Sequence, residues 1–394
     1  MAVRTIGDAE RRARLARRHH LAPSARSDDV AVVARDLVAL HSTDPASVHL
    51  AAWARLHEPT IAAVDRALYD DRTLLRMLGM RRTMFVVPTD LAPVVQAACT
   101  DAIAARERLR LEQVLEAGGV ADPAGPWLRA VEAEVGAALA ARGEATGQEL
   151  SRDVAGLRER IHLAEGKAYG AVVNVTTRVL FVMAAEGRIV RGRPRGSFLS
   201  SQYRWRPMEA WLPGGMPTVP VDEARAELVR RWLAAFGPGT TADVRWWTGW
   251  TAGEAKRALG AVGAVEVGLD DAGGGWILPD DLEPTAEAGP WVALTPALDP
   301  TVMGWQGRDW YLGPHGSTLF DRSGNPGPTV WCDGRIAGGW AQRADGEVVI
   351  RLLEDVGREN AEAVDAEAER LRAWLGDVRV TPRFRTPLER ELSA

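Results

Sequence analysis

Cysteine and lysine are nearly missing from this chain. Two cysteines in 394 residues, Cys99 and Cys332, are too few for a disulfide framework, and both sit in apolar runs, so a reducing cytoplasm is the expected setting. The only lysines are Lys167 and Lys256, both far in sequence from the one polar motif of interest, which leaves no amine beside it for a Schiff base. Of the seven histidines, His49, His57, His162 and His315 show no mutual spacing of metal ligands. No hydrophobic run approaches a membrane span, and the charged N-terminus has no apolar stretch after it, so neither membrane nor signal peptide is expected. A phosphate-binding loop, a Gly-x-Gly-x-x-Gly opening a helix and an iron–sulfur cysteine set are also lacking. These absences disfavour a nucleotide-dependent enzyme, and no cofactor or metal is expected.

What is present is arginine, unevenly placed under a formal net charge of -5. Residues 1–26 hold seven arginines against Asp8 and Glu10. Arg188, Arg191, Arg193, Arg195, Arg204 and Arg206 fall within nineteen residues that contain no acid. Six cations without a counter-charge repel one another unless a polyanion is present, so this stretch is expected to follow DNA phosphates; the plain alternative is a solvated turn. Arg81 and Arg82, at the tip of an earlier hairpin, are weaker candidates of the same kind. The acids gather elsewhere, notably in Glu354–Glu369, which reads as a solvated helix.

The organisation repeats. A helical pair, a Ser- or Thr-capped second helix and a short hairpin occur in a loose copy from Ser27 to Val87. A second copy runs from Thr146 to Arg193, with its hairpin at Gly187–Arg195, and a third from Thr240 to Gly268. Helices followed by a two-stranded wing form the winged variant of the helix-turn-helix, a shape that fits a DNA groove. Periodicity predicts a basic helix over 4–22 broken by Pro23, a helix from Val30 to Leu40 whose face ends at Asp44-Pro45, and helices from Leu91, Trp127 and Val221. After Pro284 short strands with glycine turns are expected at 292–296, 330–332, 335–340 and 347–352, followed by a helix from Ala361 to Leu375. The expected fold class is α+β: three tandem winged-helix domains at 1–125, 126–215 and 216–288, then a small β-rich, barrel-like domain at 289–394. The fifteen tryptophans read mostly as core anchors.

Six strings occur in a telling order: Leu37–Pro45, Arg81–Pro88, Trp247–Gly249, Leu294–Pro300, Trp331–Trp340 and Thr386–Glu389. Together they resemble the winged-helix, AlkZ-like DNA glycosylase family of azinomycin-resistance type, over nearly the whole chain. The resemblance implies three winged helices and a β-barrel arranged around DNA. It also implies metal-free hydrolysis of the N-glycosidic bond of bulky N7-alkylated purines, as monoadducts or crosslinks, by a monomer on double-stranded DNA. The family carries Gln, an apolar residue, then Gln or Asp immediately before Asp-Pro. Here the matching positions are His41, Ser42 and Thr43 before Asp44-Pro45, so both expected side chains are replaced.

Neutral histidine can hold a water and take its proton, and Thr43 can supply a second hydrogen bond if both side chains face one cavity. His41 is therefore read as a catalytic base, as a holder of water or DNA backbone, or as a polar residue in a member that binds without cutting. Asp44, beside proline, reads as a turn or cap residue. In the tail, Arg383 and Arg385 either contact DNA or pair with Glu389. Two functions follow: a monofunctional glycosylase, or a non-catalytic DNA-binding protein acting as lesion sensor, sequestering resistance factor or regulator.

Overall fold

The computed structural model describes residues 4–163, 171–270 and 273–394; Lys167 and the side chain of His162 lie outside them. The chain divides into two compact units, one of Met1–Leu75, Phe85–Thr89 and Arg225–Ala394, the other of Arg76–Met84 and Asp90–Ala224. The fold is α+β, as expected, with helices carrying small three-stranded sheets and a strand-rich C-terminal region.

In the first unit the N-terminal helix is shorter than its periodicity suggests. Thr5–Ile6 is a strand, paired in parallel with Gly268–Leu269, and the helix itself is Asp8–Arg18. Acids in its first turn and arginines in its last complement the helix dipole. Its arginines are used within the unit. Arg4 and Arg14 share Glu10, Arg14 and Arg18 share Asp281, and Arg11 stacks 4.0 Å from the centre of the Trp310 ring. The basic N-terminus is thus a clamp on its own fold.

The helix expected from Val30 to Leu40 ends at Asp36, and Asp29 caps its start by accepting from Ala31 N at 2.7 Å. Val38 then takes a positive φ of 65°, an unusual conformation for a β-branched residue, and the chain enters a two-residue strand, Leu40–His41. The apolar period misled because Leu37, Val38 and Leu40 are all fully buried, whether helical or extended. Asp44-Pro45 opens the next helix, Pro45–Trp53, with proline at the position where its missing N–H costs nothing. Arg55 and Asp299, both fully buried, form a two-pronged ion pair at 2.7 and 2.9 Å beneath it.

Later in this unit, Thr240 and Thr251 each begin a helix with a capping box, closed by Asp243 and Glu254, and a hairpin of Val265–Leu269 with Gly273–Ile277 follows. The C-terminal strands Val292–Thr295, Thr329–Cys332, Arg335–Gln342 and Val348–Leu352 form an antiparallel meander in chain order. The sheet's two outer strands are not paired with each other; helices Gly357–Leu375 and Pro387–Leu392 pack on it instead. Asp333-Gly334, both at positive φ, make its tightest turn, and a Cβ at Gly338 would lie 2.1 Å from the Arg351 carbonyl. Trp331 is fully buried and its indole N–H is shared by the hydroxyls of Thr295 and Thr329.

The second unit is built on helices Asp101–Ala117 and Ala124–Arg142. Leu128, Val131, Val135 and Leu139 recur on one face of the latter and bury against Leu111, Leu150, Leu157 and Val179. Thr146 begins Gly147–Asp153 with a capping box closed by Glu149. The hairpin expected within Gly187–Arg195 is one strand of a longer one: Ile189–Pro194 pairs with Tyr203–Pro207, with a register shift between Arg191 and Pro194.

Candidate active site

His41 stands on the short strand Leu40–His41, which pairs antiparallel with Val86 and Phe85. Its ring is buried and meets the Phe85 ring edge-on at 5.2 Å. The backbone N–H of Thr43 donates to His41 Nδ1 at 3.4 Å, a long bond. In a neutral imidazole that acceptor role at Nδ1 leaves the proton on Nε2. Thr43 follows the turn with its hydroxyl oxygen buried and without a hydrogen-bond partner among the described residues. A buried hydroxyl in that state costs about 1–3 kcal/mol, which a bound water would offset.

Asp44 is a structural acid. One carboxylate oxygen accepts from Ala46 N at 3.1 Å, capping Pro45–Trp53, and the other accepts from Arg383 N at 2.9 Å. With both oxygens engaged it holds the turn, as a residue beside proline was expected to do. One turn into the helix, Ser47 donates to the Ala297 carbonyl at 2.8 Å, which fixes the helix start against the Leu294–Pro300 segment. The two tail arginines part company. Arg385 forms a two-pronged pair with Glu389, whereas the Arg383 guanidinium reaches the Thr43 carbonyl at 3.3 Å. The sequence offered a tail contact for Arg383 but no sign that it would be the motif. His19, His49 and Phe85 also lacked any usable signal. His19 is a core group and His49 pairs with Asp65 at 3.1 Å.

The arginines proposed for phosphate contact are placed unequally. Arg82 grips Glu107 through two bonds of 2.7 and 2.9 Å and lies over the Phe181 ring. That bond, helped by the charges of Arg82, Arg110 and Arg178, holds the Glu107 carboxyl below its usual range although burial opposes the shift. Arg81 forms the hairpin tip at a φ of 54°. Arg188 binds Glu132 at 2.6 Å and approaches Glu186, both of which also hold Arg108. Arg204 and Arg206 share Glu144. The premise of six cations without counter-charge is therefore corrected, because Glu132 and Glu144, distant in sequence, and Glu186, just before the stretch, supply carboxylates. Arg191 is half-buried over the Trp205 ring, at 4.8 Å, with Nη1 3.2 Å from Met84 Sδ, and burial pulls its pKa down to about 10. Arg193 and Arg195 are exposed at the end of the strand, and the Arg195 side chain has no partner among the described residues.

Among the described residues no three metal-donor side chains converge, and no helix is long and apolar enough to cross a membrane. A family model described as DNA glycosylase AlkZ-like matches residues 34–374. The solved structure of the Streptomyces sahachiroi DNA glycosylase AlkZ is similar to this chain with a TM-score of 0.71 at 21% identity, over 96% of this chain and 99% of that one. No curated protein matches the sequence.

Proposed function

Since the chain belongs to the AlkZ-like DNA glycosylase family, we propose that it hydrolyses the N-glycosidic bond of bulky N7-alkylated purines in double-stranded DNA, as monoadducts or crosslinks. In this reading it works as a cytoplasmic monomer, in repair or in self-resistance to a genotoxic natural product. The observation that carries the catalytic assignment is the buried, unpartnered hydroxyl of Thr43 two residues from the His41 ring. Three small sheets, each a hairpin joined by a short strand, support the reading of three winged helices, proposed at 1–125, 126–215 and 216–288, with the third sheet taking its short strand, Thr5–Ile6, from the N-terminus.

An N7-alkylated purine is already cationic. When the bond from the sugar carbon to N9 breaks, its electron pair neutralises the base and leaves an oxocarbenium-like sugar. The protein's task is then to hold a water at that carbon and stabilise the developing charge. His41, with its proton on Nε2, donates to the water oxygen, and Thr43 accepts one of the water's protons. The bond from water oxygen to the sugar carbon forms and the water loses a proton to solvent. His41 is thus first a holder of water; it acts as a base only in the other tautomer, once the long bond from Thr43 N–H gives way, the ring proton moves to Nδ1 and Nε2 is left to accept the water's proton. A protonated ring would set a cation beside a cationic transition state, so excision falls on the acid side. Arg193 and Arg195 serve as wing contacts to phosphate, with Arg81 and Arg82 at the first hairpin tip. Arg188 and Arg191 hold the wing in shape.

The test is single-turnover excision of an N7-alkylguanine in EDTA by wild type, His41→Ala, His41→Gln, Thr43→Val and Thr43→Gln over a pH series. His41→Ala is expected to lose on the order of 10²-fold or more in rate with DNA affinity within a few-fold. His41→Gln retains part of the rate and loses the acid limb, and Thr43→Val costs less than His41→Ala. Wild-type cutting by His41→Ala overturns the assignment. Tight binding of every adduct with no excision by any protein establishes the non-catalytic sensor or sequestering reading instead.

A further inference from the structure

We propose that Arg383 is a phosphate clamp built onto the candidate site, which couples the DNA backbone to the turn carrying His41 and Thr43. The inference rests on the glycosylase reading and extends it to a residue of the C-terminal tail. Two contacts join the tail to the motif, and they use different parts of Arg383. The backbone N–H holds Asp44 Oδ2 at 2.9 Å, and Nη1 of the side chain holds the Thr43 carbonyl at 3.3 Å. The tail is itself fixed from behind: Val380 N donates to Gln342 Oε1 at 2.8 Å, and Gln342 Nε2 donates to the Val378 carbonyl at 3.1 Å.

The guanidinium that results is exposed, anchored through one N–H and without a carboxylate partner among the described residues. Arg385, two residues on, differs in this respect, since Glu389 consumes it. Asp44 forms no ion pair with the Arg383 head among the described residues; its oxygens accept from two backbone N–H groups. A guanidinium carries five N–H donors in a rigid fork, and one bond to a carbonyl leaves an edge free for two phosphate oxygens. The anchoring lowers the side-chain entropy lost on binding. An anion taken here would sit on the same guanidinium that binds the Thr43 carbonyl, which links the DNA backbone to the turn that presents the Thr43 hydroxyl.

Duplexes carrying one N7-alkylguanine, with a single neutral methylphosphonate moved through the positions flanking the adduct, test the clamp on the full-length protein. Binding by wild type should weaken about tenfold at one position, the scale of one charged hydrogen bond. Arg383→Ala should bind the all-phosphate duplex about as weakly and show no further loss at that position. Its slope of log K against log salt should flatten by about 0.9, whereas the exposed Arg390→Ala leaves the slope unchanged. Arg383→Lys keeps the slope but lowers the single-turnover excision rate, because an ammonium lacks the fork that reaches carbonyl and phosphate together. Equal losses for Arg383→Ala and wild type at every methylphosphonate position overturn the clamp. The methylphosphonate and salt readouts are binding alone, so they stand whether or not any adduct is excised. A protein that binds DNA with the expected coupling but never cuts refutes the glycosylase reading and not the clamp.

Discussion

His19 should make the first unit lose stability in mild acid. Its ring is fully buried, edge-on to Phe236 at 4.9 Å and stacked with Trp305 at 5.8 Å. The Ala235 carbonyl can only accept, so Nε2 at 3.1 Å must carry the proton and Nδ1 must accept from the Thr301 hydroxyl at 2.9 Å. That hydroxyl oxygen already accepts from Arg55 Nη2 at 2.8 Å, and Arg55 Nε binds the His19 carbonyl at 3.0 Å. A second ring proton would need the hydroxyl reversed and a cation buried near Arg55. Burial first, then the charge of Arg55, lower the ring's pKa well below 6.5, and His20 and Arg18 add to the effect. The sign follows directly. Above pH 6.5 neither folded nor unfolded ring is protonated and stability is full; below it the unfolded ring gains a proton that the folded one refuses. One proton corresponds to about 1.4 kcal/mol per pH unit, so about 1.4 kcal/mol should be lost between pH 7.5 and 5.5. Urea unfolding of wild type and His19→Gln at both pH values isolates this share, since all other groups cancel in the difference. The glutamine variant is less stable throughout but should lose about 1.4 kcal/mol less over the interval. Equal losses in the two proteins would show that the folded ring titrates normally and would refute the reasoning.

Two further outcomes concern charges that the fold uses differently. Replacing Arg193 and Arg195 with alanine should flatten the salt dependence of duplex binding by about 0.9 per lost phosphate contact, while Arg188→Ala leaves that slope alone and lowers the melting temperature slightly by leaving the buried Glu132 with Arg108 as its one arginine partner among the described residues. An unchanged slope for the tip pair removes this hairpin from the DNA interface. Asp299→Asn should destabilise the first unit by about 3–5 kcal/mol in urea unfolding, because it leaves the Arg55 charge buried without its partner; a loss under about 1 kcal/mol would mean that water reaches the pair.

Local rules carried most of the secondary structure. The threonines at 146, 240 and 251 each stand three residues before an acid, and each begins a helix. The four C-terminal strands fall within a residue or two of their sequence signals because glycine turns punctuate them. The departures arise where a distant partner decides. The break at Val38 leaves no mark in the sequence because burial of Leu37, Val38 and Leu40 alike removes the polar face that would show it. Glu132 and Glu144 neutralise arginines more than fifty residues away, which no inspection of the 188–206 stretch alone can reveal. At the candidate site, the ordered strings are what singled out His41 and Thr43. The missing partner of the Thr43 hydroxyl and the arrival of Arg383 are facts of packing.

The bond from Arg383 N to Asp44 spans 339 residues of chain. A ribosome adds residues at roughly 5–20 per second, so the motif waits on the order of 20 to 70 seconds after its own synthesis for the group that fastens it. Through that interval Asp44 has only its local cap, and the Thr43 carbonyl lacks its guanidinium. A nascent or prematurely released chain therefore carries His41 and Thr43 without the completed turn. On the assignment proposed above, this late closure ties excision to a chain made through its tail.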